Sequence, residues 1–389
     1  MSLRILASAS PGEVRVTLLQ DGALVEYWVD RPALPDGVGD LHRARVTALA
    51  PAMAGAFLLL GGGETGFLPD DEAGAVRHGA ARLQEGLVLP VRVTRAAQGG
   101  KGPRVTARLS EREAALAAAA TGGSAPALLA RGPGHLLRLA RLHRDASLTV
   151  DAPTLAATLR GVLGRDRVTL ARAPVLDDAL EAEIEVLAGP EAPLPGGQGR
   201  ILVHPTPALT AIDVDAGTAA GARDPAAQER LNLVAVQEAA RQIRLRNLAG
   251  PILVDLAGMP AKRRAALAAP FEAALATDAL AVMKGLGPLG LLEVLRRRTH
   301  PPLHEVLGGR MAPVTAGLAA LRRAAREAAA NPGRVLALHA APAVATALRG
   351  LPAALAAYAA ETGRPLALHA DAARRPGEES IEEVSPRAG

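Results

Sequence analysis

No cysteine occurs in the 389 residues of the chain. That excludes disulfides, thiolate metal sites and cysteine nucleophiles, and it fits a reducing compartment. Aromatic residues are almost as scarce, at 2%: three Phe, two Tyr and one Trp. Any ring placed where it can reach solvent is therefore informative. Long apolar runs are missing too. Met1-Ser-Leu-Arg-Ile-Leu6 lacks a basic region followed by a sustained apolar core, so no secretory signal is read. The run Ala114–Ala120 is far too short to span a bilayer. A soluble, cytoplasmic protein with no membrane partner is the expectation. The nine His include no HxxxH pair with an interposed Glu, so zinc-hydrolase chemistry has no support. Gly99-Gly-Lys-Gly102 is not a phosphate loop, because Gly102 stands where Ser or Thr is required.

What is present points to several compact units. The length predicts two to four of them. Hydrophobic residues make up 49%, much of it Ala, which predicts small-residue, helix-rich cores. Lys plus Arg (44) exceed Asp plus Glu (39), a net charge of +5 that is compatible with a polyanionic partner without demanding one. Leu3–Ala7, Val14–Leu19 and Leu24–Val29 read as strands with a hairpin turn at Asp21-Gly22. Arg43–Leu49, Ala56–Leu60, Leu87–Thr94 and Pro103–Leu109, separated by Gly-rich turns, suggest a small barrel. Glu111–Ala120 is helical and ends in the break Thr121–Pro126. Helix and strand then mix through residue 190. Beyond a loop at Pro193–Gly199, strands Ile201–His204 and Thr210–Val214, helix Ala226–Asn247, strand Ile252–Asp255 and helix Ala261–Leu275 follow. Helix Ala316–Ala330, strand Val335–His339, helix Ala343–Thr362 and strand Leu366–His369 make a last unit. Arg374-Arg-Pro-Gly-Glu-Glu379 reads as a mobile tail.

The sharpest chemical signal is Ala211-Ile-Asp-Val-Asp-Ala-Gly217. Side chains alternate across a strand, so Asp213 and Asp215 share one face and Ile212 and Val214 the other. Ile252-Leu-Val-Asp255 is an apolar run ending in an acid, as a buried parallel strand reads. Carboxylates from two neighbouring strand ends would form a hard-oxygen site suited to Mg²⁺, an ion that can activate water for in-line attack on phosphorus. The alternative is that both acids simply cap the turns that follow. On the helix between them, Gln237, Arg241 and Arg244 share a face. The two Arg are candidates for phosphate contact, or for a structural role near the helix C-terminus. Arg296-Arg-Arg298 is likewise a candidate for phosphate contact, with a solvated face as the alternative. In the barrel, Phe57 and Phe67 beside Lys101, with Arg104 and Arg108 beyond, suit single-stranded RNA, whose bases stack on rings while cations follow the phosphates. The alternative is that both Phe are core.

These segments, in this order, resemble the ribonuclease E/G family. Ala208-Leu-Thr-Ala-Ile-Asp-Val-Asp215 is similar to its first metal-binding motif, and Glu238-Ala-Ala-Arg-Gln-Ile-Arg-Leu-Arg-Asn-Leu-Ala-Gly250 to its most recognisable helix. Ile252-Leu-Val-Asp255 is similar to the strand with its second metal ligand, and Gly290–Arg298 to its downstream signature. Gly55-Ala-Phe57, Gly66-Phe-Leu-Pro69 and Lys101-Gly102 resemble its RNA-binding barrel. The resemblance implies an α/β, α+β multidomain architecture. An RNase H-like domain (1–38 and 125–192) is interrupted by an OB-fold barrel (39–112). A DNase I-like catalytic domain (193–310) and a small α/β domain (313–384) follow. It further implies a Mg²⁺-dependent endoribonuclease in RNA processing or decay, with Asp213 and Asp255 as metal ligands and Asp215 beside them in catalysis. Phe57, Phe67, Lys101, Arg241 and Arg244 would contact single-stranded RNA.

The chain also departs from the family. Asp215 replaces the usual Asn, Pro207 a Glu and Gly258 an acid, and these changes motivate the alternative of a non-catalytic RNA-binding protein of the same descent. The zinc-sharing Cys pair expected near Arg310–Pro313 is absent, so no zinc and no zinc-linked tetramer are expected, while a homodimer stays compatible. The 5′-end sensor domain is missing after the barrel. Asp278-Ala-Leu-Ala281 also lacks the Arg expected to contact a 5′ phosphate, so cleavage independent of the RNA 5′ end is expected.

Overall fold

The protein is described by a computed structural model covering residues 2–74, 83–120, 123–197, 199–217, 225–309 and 311–384. Thr121 and Gly122 of the expected break, and Arg310, lie outside the described residues. The fold is mixed α/β with several sheets, one of which closes into a five-stranded barrel. By its internal packing the chain divides into two units: Met1–Pro35, His135–Arg296 and Pro302–Gly389 form one, Asp36–Gly134 and Arg297–Pro301 the other.

Among the described residues the first unit contains three sheets. Leu3–Ser10, Glu13–Gln20 and Ala23–Asp30 form an antiparallel meander, and Ser147–Val150 and Val168–Leu170 extend it in parallel from Leu3–Ser10. Both faces are covered, which is why Ile5-Leu6-Ala7 is continuously apolar. Ile5 and Ala7 pack with Leu136, Leu139 and Leu159 on one side, and Leu6 packs with Ile184, Leu187 and Leu245 on the other.

A six-stranded sheet follows, in the order Glu191–Pro193, Arg200–Pro205, Thr210–Asp215, Gly250–Asp255, Leu292–Arg296, Ala281–Leu286. Helices Pro225–Leu245 and Ala268–Leu275 contribute Ala235, Val236, Ala239, Ile243 and Phe271 to a core with Ile201, Ile212, Val214, Ile252 and Val254. Strand residues between these apolar positions point away from the core, and the strands alternate in burial. The last sheet, Ala367–Ala370, Leu336–Ala340 and Ser380–Glu383, packs on helices Pro313–Ala330, Pro342–Arg349 and Pro352–Thr362.

Buried ion pairs join this last layer to the first meander. Glu13 accepts from Arg31 and Arg322 at 3.0 Å each. Arg31 also donates to Val306 O at 2.7 Å and to Thr315 Oγ1 at 2.9 Å. Arg15 grips both oxygens of Glu181 at 2.6 and 2.8 Å, and Arg326 adds a third bond at 3.0 Å. Burial pushes the Glu181 carboxyl up, but the hydrogen bonds and charge of Arg15, with Arg326 and Arg322, outweigh it and hold the group at about 2.

The second unit is the barrel. Its strands Leu41–Ala50, Gly55–Leu59, Thr65–Pro69, Val88–Arg95 and Arg104–Thr106 pair in the order first, second, third, fifth, fourth and back to first. The third and fifth pair in parallel and the rest antiparallel. Val46, Leu58, Leu68, Val91, Val93 and Val105 fill the inside. Ala127–Ala130 adds to the first strand, and this unit runs to Gly134.

Several sequence expectations need correction. Thr65–Pro69, Ala127–Ala130, Ala281–Leu286 and Ser380–Glu383 are strands that the pattern did not reveal. Each is short, and Gly or Pro interrupts Thr65–Pro69 and Ala281–Leu286. Ala261–Leu275 is two helices with a 3₁₀ turn between them, because Pro270 has no N–H to offer the preceding turn. Ala343–Thr362 is likewise two helices bent by 83°, the second starting at Pro352, where the missing N–H costs nothing. Arg374–Glu379 is no mobile tail. Arg374 donates to Asp371 and Glu378 O, and the Glu379 side chain is 1% exposed. Among the described residues no single helix is long and apolar enough to cross a membrane.

Replacing Glu13 by Gln leaves the Arg31 and Arg322 guanidinium groups buried without their carboxylate. The expected loss is roughly 3–5 kcal/mol of unfolding free energy, measured by urea titration. The Glu181 contribution has a depressed native value, so it is present above the unfolded value of 4.5 and lost as pH falls toward 2. Arg15→Met should remove that acid-side loss, and an unchanged pH profile in this variant would refute the pairing.

Candidate active site

The two strands that carry the expected metal acids lie side by side and parallel. Their register runs Thr210↔Ile252, Ala211↔Leu253, Ile212↔Val254 and Asp213↔Asp255. Because Ile212 and Val254 enter the core, the next position on each strand faces outward, and Asp213 and Asp255 emerge as exposed neighbours on one face. Paired strands run about 4.8 Å apart, so the two carboxylates can share one cation. Asp255 Oδ1 already accepts from Arg264 Nη1 at 2.7 Å, and Arg264 is held by Met259 O at 2.8 Å and Gly290 O at 2.9 Å. One Asp255 oxygen is thus oriented by a guanidinium group, while the other has no hydrogen-bond donor among the described residues.

Asp215 is two residues beyond Asp213 on the same face, about 6.6 Å along the strand. It is committed elsewhere, accepting from Gly217 N and Arg200 Nε at 2.9 Å each, while Arg200 Nη1 reaches Glu191 at 2.9 Å. The Gly217 N–H, then Arg200, hold its carboxyl below the ordinary value. The structure therefore brings Asp213 and Asp255 together and ties Asp215 to the strand edge.

The helix Pro225–Leu245 supports this arrangement from beneath. Asn232, fully buried, exchanges hydrogen bonds with Ala257: its Nδ2 donates to Ala257 O at 2.9 Å and its Oδ1 accepts from Ala257 N at 3.0 Å. That clip fixes the turn directly after Asp255. Farther on, Gln242 donates to Glu238 at 2.8 Å and accepts from Arg246 Nε at 2.6 Å, while Arg246 also donates to Gly189 O and Val186 O. Burial pushes the Glu238 carboxyl up and the Arg246 guanidinium down, to about 10 for the latter.

Arg241 and Arg244, expected to meet RNA, face the first meander. Arg241 pairs with Glu183 and Glu238 and donates to Leu24 O at 3.1 Å. Arg244 pairs with Glu26 at 2.7 Å. Their guanidinium groups fasten the helix to that sheet, the structural role given as the alternative to phosphate contact. Arg296, read as a phosphate contact or part of a solvated face, is 3% exposed and pairs with Asp278 at 2.6 Å. Arg264, Arg200 and Asn232 were not anticipated. The run Lys262-Arg263-Arg264 just after the acidic strand was the available signal for the first of them.

On the barrel, Phe57 and Phe67 are paired across the second and third strands, with ring centroids 5.5 Å apart and planes tilted by 60°. Both are half-buried while Ala56, Leu58 and Leu68 fill the inside, so neither is core. Gly55 is required beside them, because a Cβ there would lie 2.5 Å from the Phe67 ring. Lys101 is exposed on the loop between the fourth and fifth strands, where Gln98 and Lys101 close a turn. Gly102 lets that loop approach the third strand, since a Cβ would meet Thr65 O at 1.7 Å.

The donor set fits Mg²⁺. That ion binds through one or two carboxylates and keeps its remaining positions for water and phosphate oxygens, which is what an open pair of aspartates offers. The sequence profile of the ribonuclease E/G family matches residues 126–299. Ribonuclease G of Escherichia coli (strain K12) is 25% identical over 417 aligned positions, covering 79% of this chain and 82% of that protein. Ribonuclease E of Nostoc sp. is 38% identical over 143 residues, covering 35% of this chain and 20% of that protein. Ribonuclease E of Escherichia coli (strain K12) is 24% identical over 399 residues, covering 78% and 38% respectively.

Replacing Arg264 by Met leaves Asp255 facing Asp213 without its counter-charge. In EDTA the thermal midpoint should fall, because the bonds of Arg264 to Asp255, Met259 O and Gly290 O are lost together. Added Mg²⁺ should raise the midpoint more in this variant than in the unaltered protein. An equal response would show that the two carboxylates do not act on one ion.

Proposed function

The chain belongs to the ribonuclease E/G family, and from that premise we propose that it is an endoribonuclease hydrolysing single-stranded RNA with a Mg²⁺ ion held by Asp213 and Asp255. The observation that carries this reading is the register of those two aspartates, exposed neighbours on parallel strands. When bound there, Mg²⁺ would polarise a phosphoryl oxygen and supply water of lowered pKa. The protein's own groups do the positioning. Arg264 fixes the orientation of the Asp255 carboxylate, Asn232 holds the turn behind it, and Asp215 with Arg200 closes the neighbouring strand edge.

The barrel supplies the hold on RNA. Its strand order, with the third and fifth strands parallel, supports reading it as an OB-fold. Phe57, Phe67 and Lys101 lie on the second strand, the third strand and the loop between the fourth and fifth, the regions that such barrels use for oligonucleotides. A base can stack on those rings only when it is not stacked in a duplex, which favours single strands. In this reading the first meander with its helices is the RNase H-like domain, and the six-stranded sheet is the DNase I-like catalytic domain. The protein works in the cytoplasm on RNA processing or decay. Only residues 120–126 separate helix Glu111–Ala119 from strand Ala127–Ala130, too little chain for a domain that senses a 5′ end. Cleavage independent of that end follows.

A second reading is a protein that binds RNA without cutting it. The salt bridges of Arg264 on Asp255 and Arg200 on Asp215 favour it. A fluorescent single-stranded RNA incubated with Mg²⁺ separates the two. Asp213→Asn and Asp255→Asn should each lower cleavage by roughly a hundredfold or more, with RNA binding retained. Binding without cleavage in the unaltered protein would establish the second reading. Substrates with 5′-monophosphate and 5′-hydroxyl ends should be cut equally, and a strong preference for the monophosphate would remove the 5′ independence.

A further inference from the structure

A segment of the last sheet occurs twice. Gly333-Arg-Val-Leu-Ala-Leu-His-Ala340 returns as Gly363-Arg-Pro-Leu-Ala-Leu-His-Ala370, with a single residue changed. The two copies pair in parallel and in register, Ala337↔Ala367, Leu338↔Leu368, His339↔His369 and Ala340↔Ala370. Leu338 and Leu368 pack on the helices, so the next position on each strand emerges on the opposite face. His339 and His369 therefore stand side by side there, with ring centroids 5.0 Å apart and planes inclined by 23°. His369 is exposed and His339 half-buried. Ala337 and Ala367, the other outward residues of the pair, are too small to cover the rings.

The third strand brings a carboxylate to the same face. Ser380 lies opposite His339, and Glu382 lies opposite Ala337. Glu382 Oε1 accepts from Ser380 Oγ at 3.3 Å, and its Oε2 lies 3.6 Å from His339 Nε2. That gap is too long for a hydrogen bond. It is close to the separation of about 3.4 Å between two ligands of one tetrahedral ion. His339 also acts with its charge on Asp371, but the Asp371 oxygens already accept from Ala373 N at 2.9 Å and Arg374 Nε at 3.1 Å.

We propose that His339 and His369, with Glu382, form a binding site for one divalent ion of the Ni²⁺, Cu²⁺ and Zn²⁺ class, separate from the Asp213–Asp255 pair. Imidazole suits these ions, whereas Mg²⁺ prefers oxygen ligands, so the site discriminates against Mg²⁺. An ion bound by both rings needs a nitrogen of one within roughly 4 Å of a nitrogen of the other. Rotation of two side chains that reach solvent supplies that closure. The ion would tie the central strand of this sheet to both neighbours, since each of the three strands contributes one ligand. The site does not depend on the ribonuclease reading.

The test uses the full chain without an affinity tag, stripped with EDTA, desalted and kept in excess Mg²⁺. Calorimetric titration with Ni²⁺ should show one tight site per chain. His339→Gln and His369→Gln should each weaken it about tenfold or more, and Glu382→Gln by a smaller factor. All three side chains lie on the face away from the core, so the thermal midpoints in Mg²⁺ alone should match that of the unaltered chain. Added Ni²⁺ should raise the midpoint of the unaltered chain more than that of either His variant. With Cu²⁺ as the probe, electron paramagnetic resonance should show coupling to two nitrogens in the unaltered chain and to one in either His variant. A merely structural role for the histidines would not produce that change. Ni²⁺ affinities and Cu²⁺ spectra that are the same in the unaltered chain and both His variants would overturn the site and place the ion elsewhere. No Ni²⁺ binding by the unaltered chain would overturn it as well.

Discussion

Parallel neighbouring strands cannot be joined by a tight turn, because the chain must return to the end from which it started. Between Thr210–Asp215 and Gly250–Asp255 that return is made mainly by the helix Pro225–Leu245, and much of the candidate active site depends on how firmly the helix is held. A slip of one residue in the strand register would turn Asp213 or Asp255 into the core and replace it outside with an apolar side chain. The register is therefore fixed from both sides, by Ile212, Val214, Ile252 and Val254 packing under the sheet and by Asn232 holding the turn beyond Asp255.

The same helix shows how a charged motif can serve stability. Glu238, Arg241, Gln242, Arg244 and Arg246 look from their composition like a binding face. In the fold they join the helix to Leu24, Glu26, Glu183, Val186 and Gly189. Their work is to hold the crossover of the six-stranded sheet against the first meander, with each buried guanidinium group meeting a carboxylate, an amide or a backbone carbonyl. Leaving any of these groups buried and unpaired would cost more than the bond itself contributes, so such a network is difficult to alter one residue at a time.

This explains which features could be read before the fold was known. Alternating burial places Asp213 on one strand face from the sequence alone, and the apolar run before Asp255 identifies its strand. The pairing of those strands, and hence the meeting of the acids, depends on packing at long range. Strand Thr65–Pro69 carries Phe67 but was hidden by Gly66 and Pro69, which weaken strand preference in isolation; the barrel accepts both because its core contacts Leu68. The fates of Arg241 and Arg244 were hidden for another reason. Their partners Glu183 and Glu26 lie far away in sequence, and helical spacing tells only which residues share a face, never what that face meets. Arg264 follows the same rule: a basic run is visible, but its grip on Asp255 requires the turn through Met259 and Gly290.

Asp215 shows how a departure in one residue can be accommodated locally. A third carboxylate on the face of Asp213 and Asp255 would add negative charge beside a cation site and could draw the ion off centre. Arg200, across the strand pair at the position opposite Asp215, meets that charge, and Glu191 on the next strand holds Arg200 in turn. The Gly217 N–H takes the other Asp215 oxygen. Both oxygens therefore have donors from the protein, whereas among the described residues Asp213 and one oxygen of Asp255 accept no hydrogen bond. The substitution leaves a two-carboxylate centre with a neutralised neighbour, and that charge balance is compatible with a single divalent ion and an incoming phosphodiester.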